Sequence, residues 1–180
     1  MEISEKIDTS IIKSPVTNSQ IRMTGRQYYQ SPVGELIIES ENEKIITVNF
    51  SRDIRLEEST TPVIQQCITE LDEYFFSGRK FFTVELEMRG SDFQKKVWNE
   101  LLNVPYGSTL SYESIAIRVG NIKSIRAVGL ANGQNPIAII VPCHRIIGKN
   151  GDLIGYGGGL ENKEWLLYHE GALLRQLSIF

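Results

Sequence analysis

The sequence predicts a mixed α/β (α+β) fold in two unequal parts, a small antiparallel sheet with one helix followed by a mostly helical half. Three observations carry this expectation. Residues 26–50 place apolar runs between turn signals, and the stretches after Pro62 and after Ser91 repeat apolar residues at helical spacing. A β-branched run then leads into Pro142-Cys143-His144-Arg145.

Each element has a local reason. Residues 1–25 mix Ser, Thr, Asn and Glu with isolated Ile and show no period, so an N-terminal extension is expected there. Tyr28-Tyr29-Gln30 and Leu36-Ile37-Ile38 flank the turn Ser31-Pro32-Val33-Gly34, and Glu41-Asn42-Glu43 turns the chain into a third strand, Lys44–Phe50. Ser51–Thr61 is a polar connection. Pro62 suits a first helical turn, and Ile64, Cys67, Ile68, Leu71, Tyr74 and Phe75 recur on one face up to Ser77-Gly78. Cys67, on that face, reads as core. Phe82, Val84, Leu86 and Met88 alternate with Thr83, Glu85 and Glu87 as a half-buried strand. Arg89-Gly90 marks the expected boundary between a sheet-plus-helix domain, 26–90, and a second domain, 91–180.

The second domain opens with Ser91-Asp92 as helix-cap candidates, and Phe93, Val97, Leu101 and Leu102 form the apolar face of its first helix. Trp98 either packs or stays partly exposed. Pro105-Tyr106-Gly107 ends the helix. Ser111–Val119 and Lys123–Asn132 are two short helices joined at Gly120-Asn121. Ala116 and Gly120 are small enough for the pair to meet closely, as in a helix-turn-helix, although purely structural bundles use the same hairpin. The second helix carries Lys123 and Arg126, then Ala127, Gly129, Ala131 and Gly133. Missing side chains let a backbone approach a ligand such as a DNA groove. Asn135-Pro136 leads into a buried strand at Ile139–Val141, which Pro142 must end or bend because it has no N–H to give a ladder. Ile154-Gly155-Tyr156-Gly157-Gly158-Gly159 lacks the endings of a P-loop or a dinucleotide fingerprint, and suits close backbone approach to a flat ligand. Glu161–Glu170 is a helix capped by Gly171.

A net charge of −3 argues weakly against nucleic acid, yet no acidic residue lies between Glu113 and Asp152, where Arg118, Lys123, Arg126, Arg145 and Lys149 are basic. That stripe is either a phosphate-binding face or a chance fluctuation of a solvated surface. Cys143, His144 and Arg145 in succession are costly to hide in a core, and so mark a site. Cys143 is the only plausible nucleophile, reacting as thiolate, and His144 is the obvious base. Neighbours in an extended chain point to opposite sides, which makes a direct bond between them awkward. Neither Cys67 nor Cys143 has metal or disulfide spacing, no apolar run approaches the roughly 20 residues of a membrane span, and no basic-then-apolar leader opens the chain. A cytoplasmic protein is expected.

Phe93-Gln94 with Val97-Trp98, Pro105-Tyr106-Gly107, Ser111-Tyr112, Arg126-Ala127-Val128-Gly129, Asn135-Pro136, Pro142-Cys143-His144-Arg145, and Lys163-Glu164-Trp165-Leu166-Leu167 with His169-Glu170-Gly171 occur in that order. Together they resemble the O6-alkylguanine-DNA alkyltransferases, or methylated-DNA–protein-cysteine methyltransferases. The likeness is nearly continuous from Phe93 to Gly171, looser over 26–88, and absent from 1–25. It implies a suicide repair reaction on double-stranded DNA in which an O6-alkylguanine leaves the stack and gives its alkyl group to Cys143, with no cofactor. A stacked base keeps its alkylated oxygen out of reach of a buried thiol, so the base must flip. O4-alkylthymine is the second candidate lesion.

The resemblance also implies roles. His144 acts as base through a bridging water, Glu170 orients His144, Tyr112 donates a phenol proton to a ring nitrogen of the leaving guanine, and Asn135 is the hinge between recognition helix and active-site segment. The residues alone do not separate Glu170 from Glu161 or Glu164. DNA contacts are expected from Ser111, Lys123, Arg126, Ala127 and Arg145, with Arg126 filling the gap left by the flipped base. Tyr156, Gly157 and Lys163 are expected to close over the base, and some relatives carry serine where this chain has Gly157. Relatives that bind zinc use N-terminal cysteines and histidines; none precedes Cys67 here, so no metal is expected. The expected state is a monomer. Three further readings are a non-catalytic, damage-flagging relative, in which the cysteine is replaced, a cysteine hydrolase acting through Cys143 and His144, and a methylation-responsive transcription regulator.

Overall fold

Three consecutive strands, β1 (Thr24–Ser31), β2 (Gly34–Glu41) and β3 (Lys44–Phe50), form an antiparallel sheet in the order β1-β2-β3. The computed structural model describes residues 23–51 and 55–173. The expected extension therefore lies outside the described residues up to position 22, and Thr24 and Gly25 already belong to β1. Asn42 and Glu43 both adopt positive φ (48° and 63°) between β2 and β3, the backbone a tight two-residue hairpin turn demands. Leu36, Ile38, Ile45 and Val48 are fully buried.

Helix α1 (Pro62–Phe76) packs on this sheet. Thr61 accepts the Ile64 N–H as its N-cap, Pro62 occupies the first turn, and Val63, Ile64, Cys67, Leu71, Tyr74 and Phe75 are buried. Cys67 is a core residue whose thiol burial pushes up to about 12, too high for a reactive thiolate. The strand expected at Phe82–Met88 does not form. Glu70, buried on α1, takes the N–H groups of Thr83 and Val84 (2.8 and 3.3 Å), removing them from any ladder. One parallel bridge, Ile45 to Leu86, remains.

Helix α2 (Asp92–Leu102) starts with a reciprocal capping box between Ser91 and Gln94. Its buried face is Val97, Trp98 and Leu101, while Phe93 and Leu102, expected on that face, are exposed. The face is therefore rotated toward Trp98, whose indole N–H donates to the Ala131 carbonyl at 2.8 Å. After strand β4 (Leu110–Ser111) come α3 (Tyr112–Arg118), a 3-10 turn (Ile122–Ser124) and α4 (Ile125–Gly133). The helical hairpin expected from the sequence is present, but Lys123 lies on the 3-10 turn and not on α4. Gly120 does not serve close packing: an added Cβ would meet only Lys96 Nζ, at 4.0 Å. Its φ of +92° is what the turn requires.

The buried run Ile137–Val141 is not a strand. Val48 bridges to Ile137, and the chain then folds back on itself, with Ile139 at φ +71° and Val141 N–H donating to Ile137 O at 3.0 Å. Asn135 supplies what a ladder would have supplied. Its amide donates to Val141 O (2.8 Å) and accepts from Ile137 N–H (3.0 Å). Cys143–Arg145 then form a 3-10 turn, strand β5 (Ile146–Ile147) pairs in parallel with β4, and α5 (Leu160–His169) is the last helix among the described residues, with Gly171 at φ +73° after it.

Candidate active site

The 3-10 turn sets the site's geometry. Successive side chains on such a turn diverge by about a third of a revolution, so Cys143, His144 and Arg145 leave the backbone in different directions instead of alternating as in an extended chain. Cys143 reaches a cavity of about 90 Å³ bounded by Asn132, Asn135, Tyr156, Gly157 and Phe50. His144 and Arg145 both turn to Glu170, the residue that ends α5. The register of β4 with β5 (Leu110 with Ile146, Ser111 with Ile147) places Tyr112, at the head of α3, beside the exit of this turn.

Glu170 is the hub. Its Oε1 accepts from His144 Nε2–H (2.8 Å), Tyr74 O–H (2.8 Å) and Arg145 Nη2 (3.0 Å), and its Oε2 accepts from Arg145 Nε (2.8 Å) and more weakly from Gly107 N–H (3.4 Å). Burial pushes the Glu170 carboxyl up, but the bonds from His144 and Arg145, with the charge each carries in acid, outweigh it and hold the group down at about 2. Burial itself keeps His144 below the ordinary imidazole range, against the pull of Glu170, so the ring is neutral at neutral pH. A carboxylate only accepts, so Nε2 carries the hydrogen and Nδ1 keeps the lone pair. Nδ1 is buried and has no hydrogen-bond partner among the described residues. Burial also raises the Cys143 thiol, opposed by Asn135, the Lys163 charge and nearby backbone N–H groups. The arrangement is a protonated thiol beside a neutral, oriented imidazole with a free basic nitrogen.

A second cavity of about 610 Å³ adjoins the first, sharing Gly133, Tyr156 and Gly157 with it, and is walled by Tyr112, Gly129 and Ile154. Tyr112 O–H donates to Ile154 O at 3.0 Å. Lys163, expected to close over a ligand, is fully buried behind the loop, its ammonium donating to Ile146 O (2.6 Å) and the same Ile154 O (2.8 Å). It anchors the glycine loop from beneath. Tyr156 and Gly157 do line both cavities, and a Cβ on Gly157 would meet nothing within 4 Å. Tyr156 sits edge-on to both Phe50 and His144.

The basic stripe resolves differently from its linear reading. Arg145, expected on a DNA-facing surface, is buried on Glu170 and also donates to Val104 O at 2.7 Å. Lys149 pairs with Glu113 (3.0 Å), and Arg118 lies 4.0 Å from Glu100. Lys123, Arg126 and Ala127 are exposed along the 3-10 turn and α4, and neither cation has an ion pair among the described residues. Ser111 spends its hydroxyl capping α3, accepting from Ser114 N–H at 3.0 Å. Sequence reasoning missed Tyr74 and Asn132. Asn132 is buried, its amide donating to Cys143 O at 3.3 Å, and a polar residue beside Val128 and Ala131 on a buried face was the available signal. Among the described residues no cluster of His, Cys, Asp or Glu has the makings of a metal site, and no helix is long and apolar enough to cross a membrane.

A buried cysteine beside a carboxylate-anchored histidine, opening onto a cavity walled by a helical hairpin, defines a protein with the parts for nucleophilic group transfer. Comparison with known proteins narrows the class. Residues 26–88 match the family model "6-O-methylguanine DNA methyltransferase, ribonuclease-like domain", and residues 92–172 match "6-O-methylguanine DNA methyltransferase, DNA binding domain". A methylated-DNA–protein-cysteine methyltransferase of Methanosarcina acetivorans is 45% identical over 150 residues, covering 80% of this chain and 96% of its own. One from Mycobacterium leprae is 52% identical over 116 residues, 64% of this chain and 70% of its own. The crystal structure of Mycobacterium tuberculosis O6-methylguanine methyltransferase superposes with a TM-score of 0.72 at 40% identity (86% of this chain, 96% of the other). The Mycobacterium tuberculosis protein in complex with DNA gives 0.75 at 42% (82% and 92%). The chain belongs to the O6-methylguanine DNA methyltransferase family.

Proposed function

We propose that this chain repairs alkylated DNA by moving the alkyl group of an O6-alkylguanine onto Cys143, irreversibly and once per molecule, after the base has left the duplex. The observation that carries the reading is the buried Cys143 thiol in a small cavity beside His144, whose Glu170 bond leaves Nδ1 as the basic atom. The family assignment and the DNA complex of a relative support DNA as partner.

In this reading the base occupies the larger cavity and its alkyl group points through the shared wall of Tyr156 and Gly157 toward Cys143. Thiol and imidazole meet through a water, and the thiol's proton passes to His144 as sulfur attacks the alkyl carbon. The carbon–oxygen bond breaks with its electron pair on the guanine, and the ring takes up one proton in place of the alkyl group, so no cofactor is consumed. Tyr112 donates to a ring nitrogen, exchanging its present bond to Ile154 O for one to the base. Asn135 couples α4 to the Cys143 turn. Arg126, with Lys123 and Ala127, faces the duplex and fills the stack. Arg145 and Lys163 act from inside, through Glu170 and the loop carbonyls. The reading includes a cytoplasmic monomer with a sheet-plus-helix domain at 26–90 and a transfer domain at 91–180.

The test is intact-protein mass after incubation with a duplex containing O6-methylguanine. A gain of one methyl, ending at one equivalent, mapping to Cys143 and lost in Cys143→Ala, is expected. Tight binding without a mass change identifies a damage-flagging protein instead.

A further inference from the structure

We infer that Tyr74, in the sheet-plus-helix half, is a positioning residue for the transfer reaction: its phenol tunes the His144–Glu170 pair across the two halves of the chain. The inference rests on the proposed transfer at Cys143 and adds a residue to it.

The geometry is specific. Tyr74 lies on the buried face of α1, and its hydroxyl donates to Glu170 Oε1 at 2.8 Å, the same oxygen that receives His144 Nε2–H at 2.8 Å. Both side chains are buried, 96 positions apart. The backbone that carries the ring is tied down as well, because His169 Nε2–H donates to the main-chain carbonyl of Tyr74 at 2.9 Å. Edge contacts with Phe75, Tyr106 and His169 leave the ring little freedom to turn. Ring packing alone would be served by phenylalanine. The hydroxyl is the part that packing does not explain.

Its effect follows from charge. Proton transfer from Cys143 makes His144 an imidazolium, which Glu170 stabilises in proportion to the negative charge left on Oε1. Every donor to that oxygen draws charge away, and bonds to an ionised acceptor are the strong ones. The titratable and charged groups facing the pair are Arg145 and Cys143 from the 3-10 turn, His169 and Lys163 from α5, Tyr106 from the loop after α2, and Tyr156 from the glycine loop. Arg145 keeps Glu170 ionised whether or not Tyr74 donates. Removing the phenol therefore leaves more charge for His144, whose imidazolium becomes easier to form and whose neutral, base-competent form is reached only at higher pH.

The test uses Tyr74→Phe, which keeps the ring. Methyl transfer from an O6-methylguanine duplex is measured from about pH 4.5 to about pH 8, a window that reaches below the ordinary imidazole value because burial lowers His144. The acid limb of the rate profile is expected to move up by about half to one pH unit, a roughly three- to tenfold loss of rate below the limb, with little change on the plateau. Ring NMR titration follows His144 directly, and it should titrate higher in the variant. A superimposable profile and an unmoved His144 overturn the role, as does a uniform loss at every pH. If the variant does not fold, the unmodified protein still decides. The Tyr74 ring-carbon signal beside the hydroxyl should respond as His144 titrates, and indifference overturns the inference. Wild-type protein that never methylates Cys143 overturns the transfer reading and the role of Tyr74 with it, whereas normal transfer with an unmoved limb overturns Tyr74 alone.

Discussion

Replacing Glu170 with glutamine tests the hub at the centre of the site. The substitution keeps the size of the side chain and removes its charge, leaving Arg145 buried without a counter-ion. It also sets an amide nitrogen against donors that point at a carboxylate, namely His144 Nε2, Tyr74 O–H and the Arg145 fork. Two routes give the magnitude. A carboxyl held at about 2 instead of its ordinary 4.5 contributes about 3 kcal/mol to folding at neutral pH. Removing one partner of a buried ion pair costs about 3–5 kcal/mol. Both predict a loss of about 3 kcal/mol or more at pH 7, read by urea unfolding. The pH dependence is the sharper part. The folded carboxyl is depressed, so its contribution is complete above about 4.5 and is lost as pH falls through about 2. The gap between wild type and Glu170→Gln should close across that window. A gap that stays constant between pH 7 and about pH 3, or one below about 1 kcal/mol at neutral pH, would refute the account of Glu170 as a structural and electrostatic hub.

Other perturbations reach different parts of the site. Asn135→Ala strands the buried Val141 carbonyl and Ile137 N–H, and should cost about 2–4 kcal/mol by urea unfolding while slowing transfer. Lys163 is held down to about 8 by burial, so the unfolded chain binds more protons between about pH 8 and its ordinary 10.5. Relative to Lys163→Met, wild-type melting temperature should therefore rise with pH through that window, and a flat difference would argue against a buried ammonium. Gly158→Ala would bring a Cβ to 2.2 Å from the Phe50 ring, and should cost about 1–3 kcal/mol of overpacking. Most of that penalty should vanish in a Phe50→Ala background; strictly additive losses would show that loop and β3 do not meet there.

Local chemistry made much of the fold legible. The three strands, the turn at Asn42-Glu43, the cap at Ser91, and the short hairpin of α3 and α4 follow from residues within a few positions of one another. Cys143 and His144 stood out because a thiol and an imidazole after an apolar run are expensive to bury without a purpose. Two expected strands failed for one shared reason. Glu70 and Asn135, each remote from or outside the segment it serves, captured the amides and carbonyls that a ladder would have used.

What the sequence determined by itself was a candidate nucleophile and base, Cys143 and His144, and where most helices and turns begin, since apolar periods and caps are written at short range. Choosing Glu170 over Glu161 or Glu164 took either a family resemblance or the folded chain. Moving Arg145 from a basic stripe into a buried ion pair, and bringing Tyr74 to Glu170 from 96 residues away, belonged to tertiary structure alone. A hydrogen bond between distant polar groups leaves no period in the sequence. Only the packing that excludes water from both partners makes it form.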